Sequence, residues 1–323
     1  MRRRLHIDED RYRRLAYVAL ASLTLIVFTG AAVRLTNSGL GCPTWPRCYG
    51  HVYPPLAVHP LIEFGNRALS GVVGIVALAV FALAFARRPF RKDLAWISAA
   101  LPLGVVAQAV LGGFTVREQL APGFVMSHYM LSMVILIFAF WLAWRARYPR
   151  GTRPRTPDRT LVWSVRGLSV LCAVTLFAGT AATAAGPHSG GNVGQSIKRL
   201  TFKGPDTLQW VVHQHATLAA LLGVLTIFVW LLKRSRGGAL EPLEPLTVLG
   251  ILLASQGLIG AVQYELKLPA EMVWVHVAVA TLTWLVSIWA VAAEGRIGQP
   301  AIVENREAIA TIVAEWSRSV PAS

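Results

Sequence analysis

Three histidines, His128, His215 and His276, lie inside long apolar runs. An ionisable side chain there is costly unless something holds it, so each is a candidate for chemistry. Imidazoles from facing helices of a four-helix bundle can serve as axial ligands to haem iron. The stretches Gln108 to His128 and Gln256 to His276 align without a gap at an offset of 148 residues, with Gly112 on Gly260 and Leu120 on Leu268. An offset of 149 sets Phe28 on Phe177, Gly30 on Gly179, Gly74 on Gly223 and Asn66 on His215. A chain duplicated in this way predicts two similar prosthetic-group sites with one ligand altered in the first half. His215 and His276 form a bis-histidine pair suited to a low-spin haem that passes electrons. In the first half Asn66 is a poor iron ligand, so His128 alone holds a haem whose other face is open to oxygen or a peroxide.

Other residues carry weaker signals. His213 is two residues before His215, about 200° away around a helix, so both cannot face one iron; alignment with Asn66 favours His215. Glu63 is followed on the same helical face by Asn66 and Arg67. Glu63 is expected to direct a carboxylate at the haem site and Arg67 to lie near a propionate; the competing reading is an interfacial ion pair that ends a helix. Cys42 and Cys48 are close enough to form a disulfide in an oxidising compartment, while His51 and His59 keep a metal reading open. His188, in the loop Gly186-Pro187-His188, is a candidate for a cofactor edge. Cys172 is expected to pack inside a span.

The elements that must position these groups follow from composition. The 323 residues are 54% hydrophobic and 15% charged, with a mean hydropathy of +0.52, far more apolar than a soluble domain. Apolar runs long enough to cross a bilayer occur at about 15–35, 62–86, 94–116, 122–144, 161–185, 208–232, 244–264 and 270–293. The expected fold is an all-α integral membrane protein, with eight transmembrane helices as two pseudo-repeated four-helix bundles. The formal charge of +15 reflects loop topology and not nucleic-acid binding. Lys and Arg concentrate at the N-terminus, at 87–92, 145–166 and 233–236, and in the tail. Positive loops stay inside, so both termini are cytoplasmic, the membrane is the plasma membrane, and the loops 36–61, 117–121, 186–207 and 265–269 face outward. The acidic residues Asp8, Glu9 and Asp10 and the length of the first apolar run argue for a retained helix over a cleaved signal. The expected organisation is a cytoplasmic N-terminus (1–14), an N-terminal four-helix half (15–146), a linker (147–160), a C-terminal four-helix half (161–293) and a cytoplasmic tail (294–323).

These residues together resemble the haem A synthase family over nearly the whole membrane region. The similar elements are Gly39-Leu40-Gly41-Cys42-Pro43 with Trp45-Pro46 and Cys48, Ile62-Glu63-Phe64-Gly65-Asn66-Arg67, His128, Gly186-Pro187-His188, His215 and His276. The resemblance implies a substrate haem site in the first half and a haem b site in the second, with haem b held by His215 and His276, His128 as the substrate-side ligand, Glu63 as the catalytic acid, and Cys42 and Cys48 as the outer-loop pair. The implied chemistry is oxidation of the haem O methyl group through an alcohol and a hydrated aldehyde to the formyl group of haem A. The implied partners are haem O, an electron donor that the residues do not identify, and haem O synthase or oxidase assembly factors. The sequence departs from the family motif Glu-x-x-His-Arg at Asn66. Two rival expectations are a cytochrome b-type protein that only transfers electrons and a transporter built from parallel repeats.

Overall fold

A computed structural model describes residues 6–149, 155–191, 195, 197–237 and 244–297. Parts of the expected N-terminus, linker and tail (1–5, 150–154 and 298–323) lie outside the described residues, as do 192–194, 196 and 238–243. The helices are α1 (Glu9–Leu35), α2 (Val58–Ala86), α3 (Lys92–Arg117), α4 (Pro122–Arg147), α5 (Arg159–Ala185), α6 (Thr207–Ser235), α7 (Pro245–Glu265) and α8 (Ala270–Glu294). All eight are long and apolar enough to cross a membrane, and the protein is a multi-pass membrane protein. α1 begins at Glu9 rather than near residue 15. Asp8 caps it by accepting from the Arg11 amide at 2.7 Å, and acidic residues in the first turn suit the positive end of the helix dipole. Large apolar side chains such as Ile75, Leu103 and Leu258 point outward, 67–69% exposed, which is where acyl chains replace water as solvent.

α1 to α4 pack in a ring and α5 to α8 in another, and the rings meet through α1 and α4 against α5 and α8. Polar bonds cross this seam. Trp284 Nε1 donates to the Met133 carbonyl at 3.0 Å, and Trp274 Nε1 to the Phe28 carbonyl at 2.9 Å. Arg34 donates to the carbonyls of His188 and Thr183 at 2.8 and 3.1 Å, fastening α1 to the loop after α5.

The duplication extends to backbone geometry. The α3–α4 turn uses left-handed residues Gln119 (φ 50°) and Leu120 (φ 59°), and the α7–α8 turn repeats this at Lys267 (φ 64°) and Leu268 (φ 63°). The Leu120 amide donates to Thr115 at 2.8 Å, and the Leu268 amide to Gln263 at 2.7 Å. Consecutive non-glycine residues with positive φ are uncommon, so their recurrence at the same offset marks one supersecondary unit used twice. Each half is also latched at the end away from this turn. Asp93 accepts from Arg91 at 2.8 and 2.9 Å and from Arg145 at 2.5 Å. Lys233 bridges Glu244 at 2.9 Å and Glu294 at 2.5 Å. A short parallel pairing of β1 (Arg155–Thr156) with β2 (Arg296–Ile297) joins the segments before α5 and after α8.

Candidate functional site

The even-numbered helices begin at the end of the bundle that carries the Cys42 loop. His128 lies about 9 Å past the start of α4 and His276 about 9 Å past the start of α8; Asn66 and His215 lie about 12 Å into α2 and α6, at the rise of an α-helix. The duplicated positions therefore occupy matched depths. In the second half, the rings of His215 and His276 face each other with centroids 6.2 Å apart. Two imidazoles on one iron, with metal–nitrogen bonds of about 2 Å and rings of roughly 1.1 Å radius, put the centroids about 6 Å apart. The spacing fits a metal between them.

The surroundings fix the rings. His215 Nδ1 lies 3.0 Å from the Thr175 carbonyl. A carbonyl only accepts, so Nδ1 carries the proton and Nε2 keeps its lone pair. This is the outer-shell bond that orients a metal-binding histidine. A Cβ on Gly179 would lie 3.0 Å from His215 Cε1, so glycine leaves room for the ring. His276 is held differently: a Cβ on Gly260 would lie 3.4 Å from its Cε1, and Gln256 Nε2 donates to its carbonyl at 3.1 Å. Its Nδ1 is buried without a partner.

The first half repeats one side of this arrangement and alters the other. A Cβ on Gly112 would lie 3.3 Å from His128 Cε1, Gln108 Nε2 donates to the His128 carbonyl at 2.9 Å, and His128 Nδ1 is again buried without a partner. At the position that aligns with His215 the first half has Asn66, with Oδ1 buried and unpartnered. Gly30, the counterpart of Gly179, has nothing within 4 Å of a Cβ position. The cradle remains where no ring fills it. No group of three or more His, Cys, Asp or Glu able to hold a metal is assembled among the described residues. A bare zinc ion asks for about three or four protein ligands. Haem brings four nitrogens of its own and needs only one or two, so the orphaned imidazoles and their glycine cradles fit haem.

Glu63 is bonded to the Cys42 loop and to Arg67. Its carboxylate is 6% exposed; one oxygen accepts from the Cys42 amide at 2.6 Å and the other from Arg67 at 2.5 Å. Arg67 also donates to the Thr44 and Cys42 carbonyls at 2.9 and 2.8 Å. The interfacial pair is therefore present, and both side chains clamp the Cys42 loop to α2. A buried carboxylate persists because it is paired and hydrogen-bonded. Cys42 and Cys48 are joined by a disulfide. A Cβ on Gly41 would lie 2.3 Å from the His59 carbonyl, which accounts for the glycine before Cys42.

The remaining candidates separate. His213 is exposed while His215 faces His276. His188 Nε2 donates to the Leu268 carbonyl at 2.7 Å, tying the loop after α5 to the α7–α8 turn. His59 Nδ1 bonds Ser38 Oγ at 3.0 Å and His51 stacks on Tyr53, so these two do not converge with the cysteines on a metal. Cys172 is buried and free. The glutamines Gln108 and Gln256 and the Thr175 carbonyl have positioning roles that the sequence did not assign. Their signal was present in part, since each glutamine precedes its histidine by 20 residues in both halves.

The family model for cytochrome oxidase assembly proteins (COX15-CtaA) matches residues 13–288. The chain is similar to a heme A synthase of Shewanella oneidensis, 30% identical over 180 residues that cover 50% of this chain and 51% of the relative. It is 30% identical over 286 residues to a protoheme IX farnesyltransferase of Thermus thermophilus, covering 82% of this chain and 45% of that protein. A heme A synthase of Bacillus cereus is 24% identical over 224 residues, 68% of this chain and 70% of the relative. The chain thus spans about half the length of the Shewanella and Thermus relatives.

Proposed function

The chain belongs to the haem A synthase family of cytochrome oxidase assembly proteins, and on that premise we propose that it oxidises the methyl group of haem O to the formyl group of haem A for a terminal oxidase. The observation that carries the proposal is the inequality of the two halves around a shared cradle. His215 and His276 stand 6.2 Å apart, while Asn66 replaces one imidazole opposite His128. In this reading His215 and His276 would hold haem b, with the Thr175 carbonyl keeping the His215 proton on Nδ1 so that the Nε2 lone pair is free. When bound there, haem b passes single electrons. His128 holds the substrate haem O on one face and Asn66, lacking an imidazole, leaves the other face open. Gln108 anchors the His128 backbone through α3. Glu63 and Arg67 hold the disulfide loop over the outer end of α2, so the carboxylate acts by fixing that loop. The termini lie in the cytoplasm and the disulfide loop on the outer face of the plasma membrane. The similarity to a protein named for farnesyl transfer to protoheme supports haem O synthase, whose farnesylated product is the substrate, as a partner.

Extraction and chromatography of the haems tests the reading. Haem b together with haem O or haem A is expected; haem b alone overturns it in favour of electron transfer. His128→Ala is expected to abolish haem A formation while the spectrum of the second-half haem persists. Continued haem A formation by that variant would remove His128 from the proposed role.

A further inference from the structure

The seam between the halves holds a cavity of about 440 Å³ at the end of the bundle away from the disulfide, a size common for small-ligand sites. Its walls combine two chemistries. Trp141, Trp144 and Tyr148 of α4 and its C-terminal end give an aromatic side, and Arg145, Arg166 and Arg296 line it with guanidinium groups. No carboxylate lines the cavity among the described residues; Asp93 lies behind Arg145 and is shared with Arg91. Arg145 is 7% exposed and its Nε is buried without a partner. Arg166 stacks over the Trp163 ring at 4.9 Å, and neither it nor Arg296 has an acidic partner among the described residues. Arg145 is compensated by Asp93, so the unpaired positive charge at this cavity is that of half-buried Arg166 and exposed Arg296, an arrangement that attracts an anion.

A shallow apolar groove lies on the same seam from Ser169 to Phe177, with Met130 and Trp284 on its other walls. On α5 the residues Arg166, Ser169, Val170, Ala173, Val174 and Phe177 fall on one helical stripe, so the cavity and the groove both lie along one face of α5. From Arg166 to Phe177 the helix rises about 16 Å, close to the roughly 15 Å depth of one leaflet. A free anion would use the basic end and leave the apolar groove empty. A neutral amphiphile would use the groove and leave the guanidinium groups unpaired.

We propose that this seam is a binding site for a phospholipid with an acidic headgroup, its phosphate between Arg145, Arg166 and Arg296 and one acyl chain along α5 to Phe177. Arginine matches phosphate with paired donors, and basic pockets between membrane helices are suited to acidic headgroups. The site is separate from the imidazole cradles and stands whether or not the proposed reaction is correct. Because α4, α5 and α8 all contribute, a bound lipid fastens one half to the other.

Native mass spectrometry of the full chain, released from detergent after addition of phosphatidylglycerol, phosphatidylcholine or inorganic phosphate, tests this. Retention of one phosphatidylglycerol in preference to phosphatidylcholine is expected. Arg166→Ala with Arg296→Ala should weaken it roughly 30-fold, from about fivefold for each guanidinium group near a lipid phosphate. Val170→Trp, at an exposed position in the groove, keeps the charges and should also expel the lipid by filling the path of its chain. Equal retention of both lipids, competition by inorganic phosphate at equal strength, or undiminished binding in the Val170→Trp variant would each overturn the proposal.

Discussion

Placing an alanine at Gly179 and, separately, at Gly30 tests the asymmetry between the halves with one methyl group. The two positions are counterparts at an offset of 149 residues. At Gly179 the new Cβ would sit 3.0 Å from His215 Cε1, 3.4 Å from Nδ1 and 3.5 Å from Nε2. Carbon atoms pack best at about 3.5–4.0 Å, so the ring must withdraw by around half an ångström. It cannot do so freely, because its Nδ1 is bonded to Thr175 at 3.0 Å and its Nε2 side is set by whatever lies between it and His276. Overpacking of this kind costs about 1–3 kcal/mol, which corresponds to roughly 5- to 150-fold weaker retention of haem at that pair. At Gly30 nothing lies within 4 Å of the added atom, and alanine is a better helix former than glycine. The assay is reduced-minus-oxidised absorption and low-temperature electron paramagnetic resonance of both purified variants. Gly179→Ala should shift or deplete the low-spin bis-imidazole signal, and Gly30→Ala should leave it unchanged. An unshifted signal in Gly179→Ala, or an equal loss in both, would refute the assignment of His215 as a ligand held in a glycine cradle.

Asn66→His should add a second low-spin bis-imidazole signal in the same spectra, because the space beside Gly30 accommodates a ring; absence of a second signal would show that α2 and α4 do not face one haem. Glu63→Ala removes the acceptor for both the Cys42 amide and Arg67, and should cost about 3 kcal/mol with loss of haem A product; Glu63→Gln, which still accepts from Cys42, should recover much of the stability in thermal melts. Arg236 donating to Asp158, together with the Leu161 amide, holds that carboxyl below its usual range. Its stabilising contribution is therefore present above the ordinary carboxylate pKa and lost as pH falls through the lowered value. Asp158→Asn keeps the helix cap, so its melting deficit relative to the wild type should shrink on acidification through that window; a deficit independent of pH would contradict the ion pair.

Sequence reading reached the fold because the membrane makes it local. Each span must satisfy its own backbone hydrogen bonds in hydrocarbon, so length and apolarity decide eight helices without knowledge of their neighbours. The duplication is also local information, since the same Gln-to-His spacing in both halves produces the same left-handed turns and the same glycine beside each imidazole. Helix boundaries were less legible: polar residues before the first apolar run join α1 through the Asp8 cap, which hydropathy does not register.

Direction within the bundle needed tertiary structure. Residues 213 and 215 lie on opposite faces of α6 whatever surrounds them, but only the position of α8 decides that His215 is the one turned inward. Glu63 shows the same limit more sharply. Its spacing to Arg67 allowed an ion pair on one helical face as a competing reading, yet its other partner, the Cys42 amide, comes from a loop whose path the sequence leaves open. The sequence by itself determined which residue types lie at which depth, because rise per residue and bilayer thickness are fixed. What faces what, including the basic seam between the halves, was decided by long-range packing of α1, α4, α5 and α8, since rotation of a helix about its axis costs nothing until another helix lies against it.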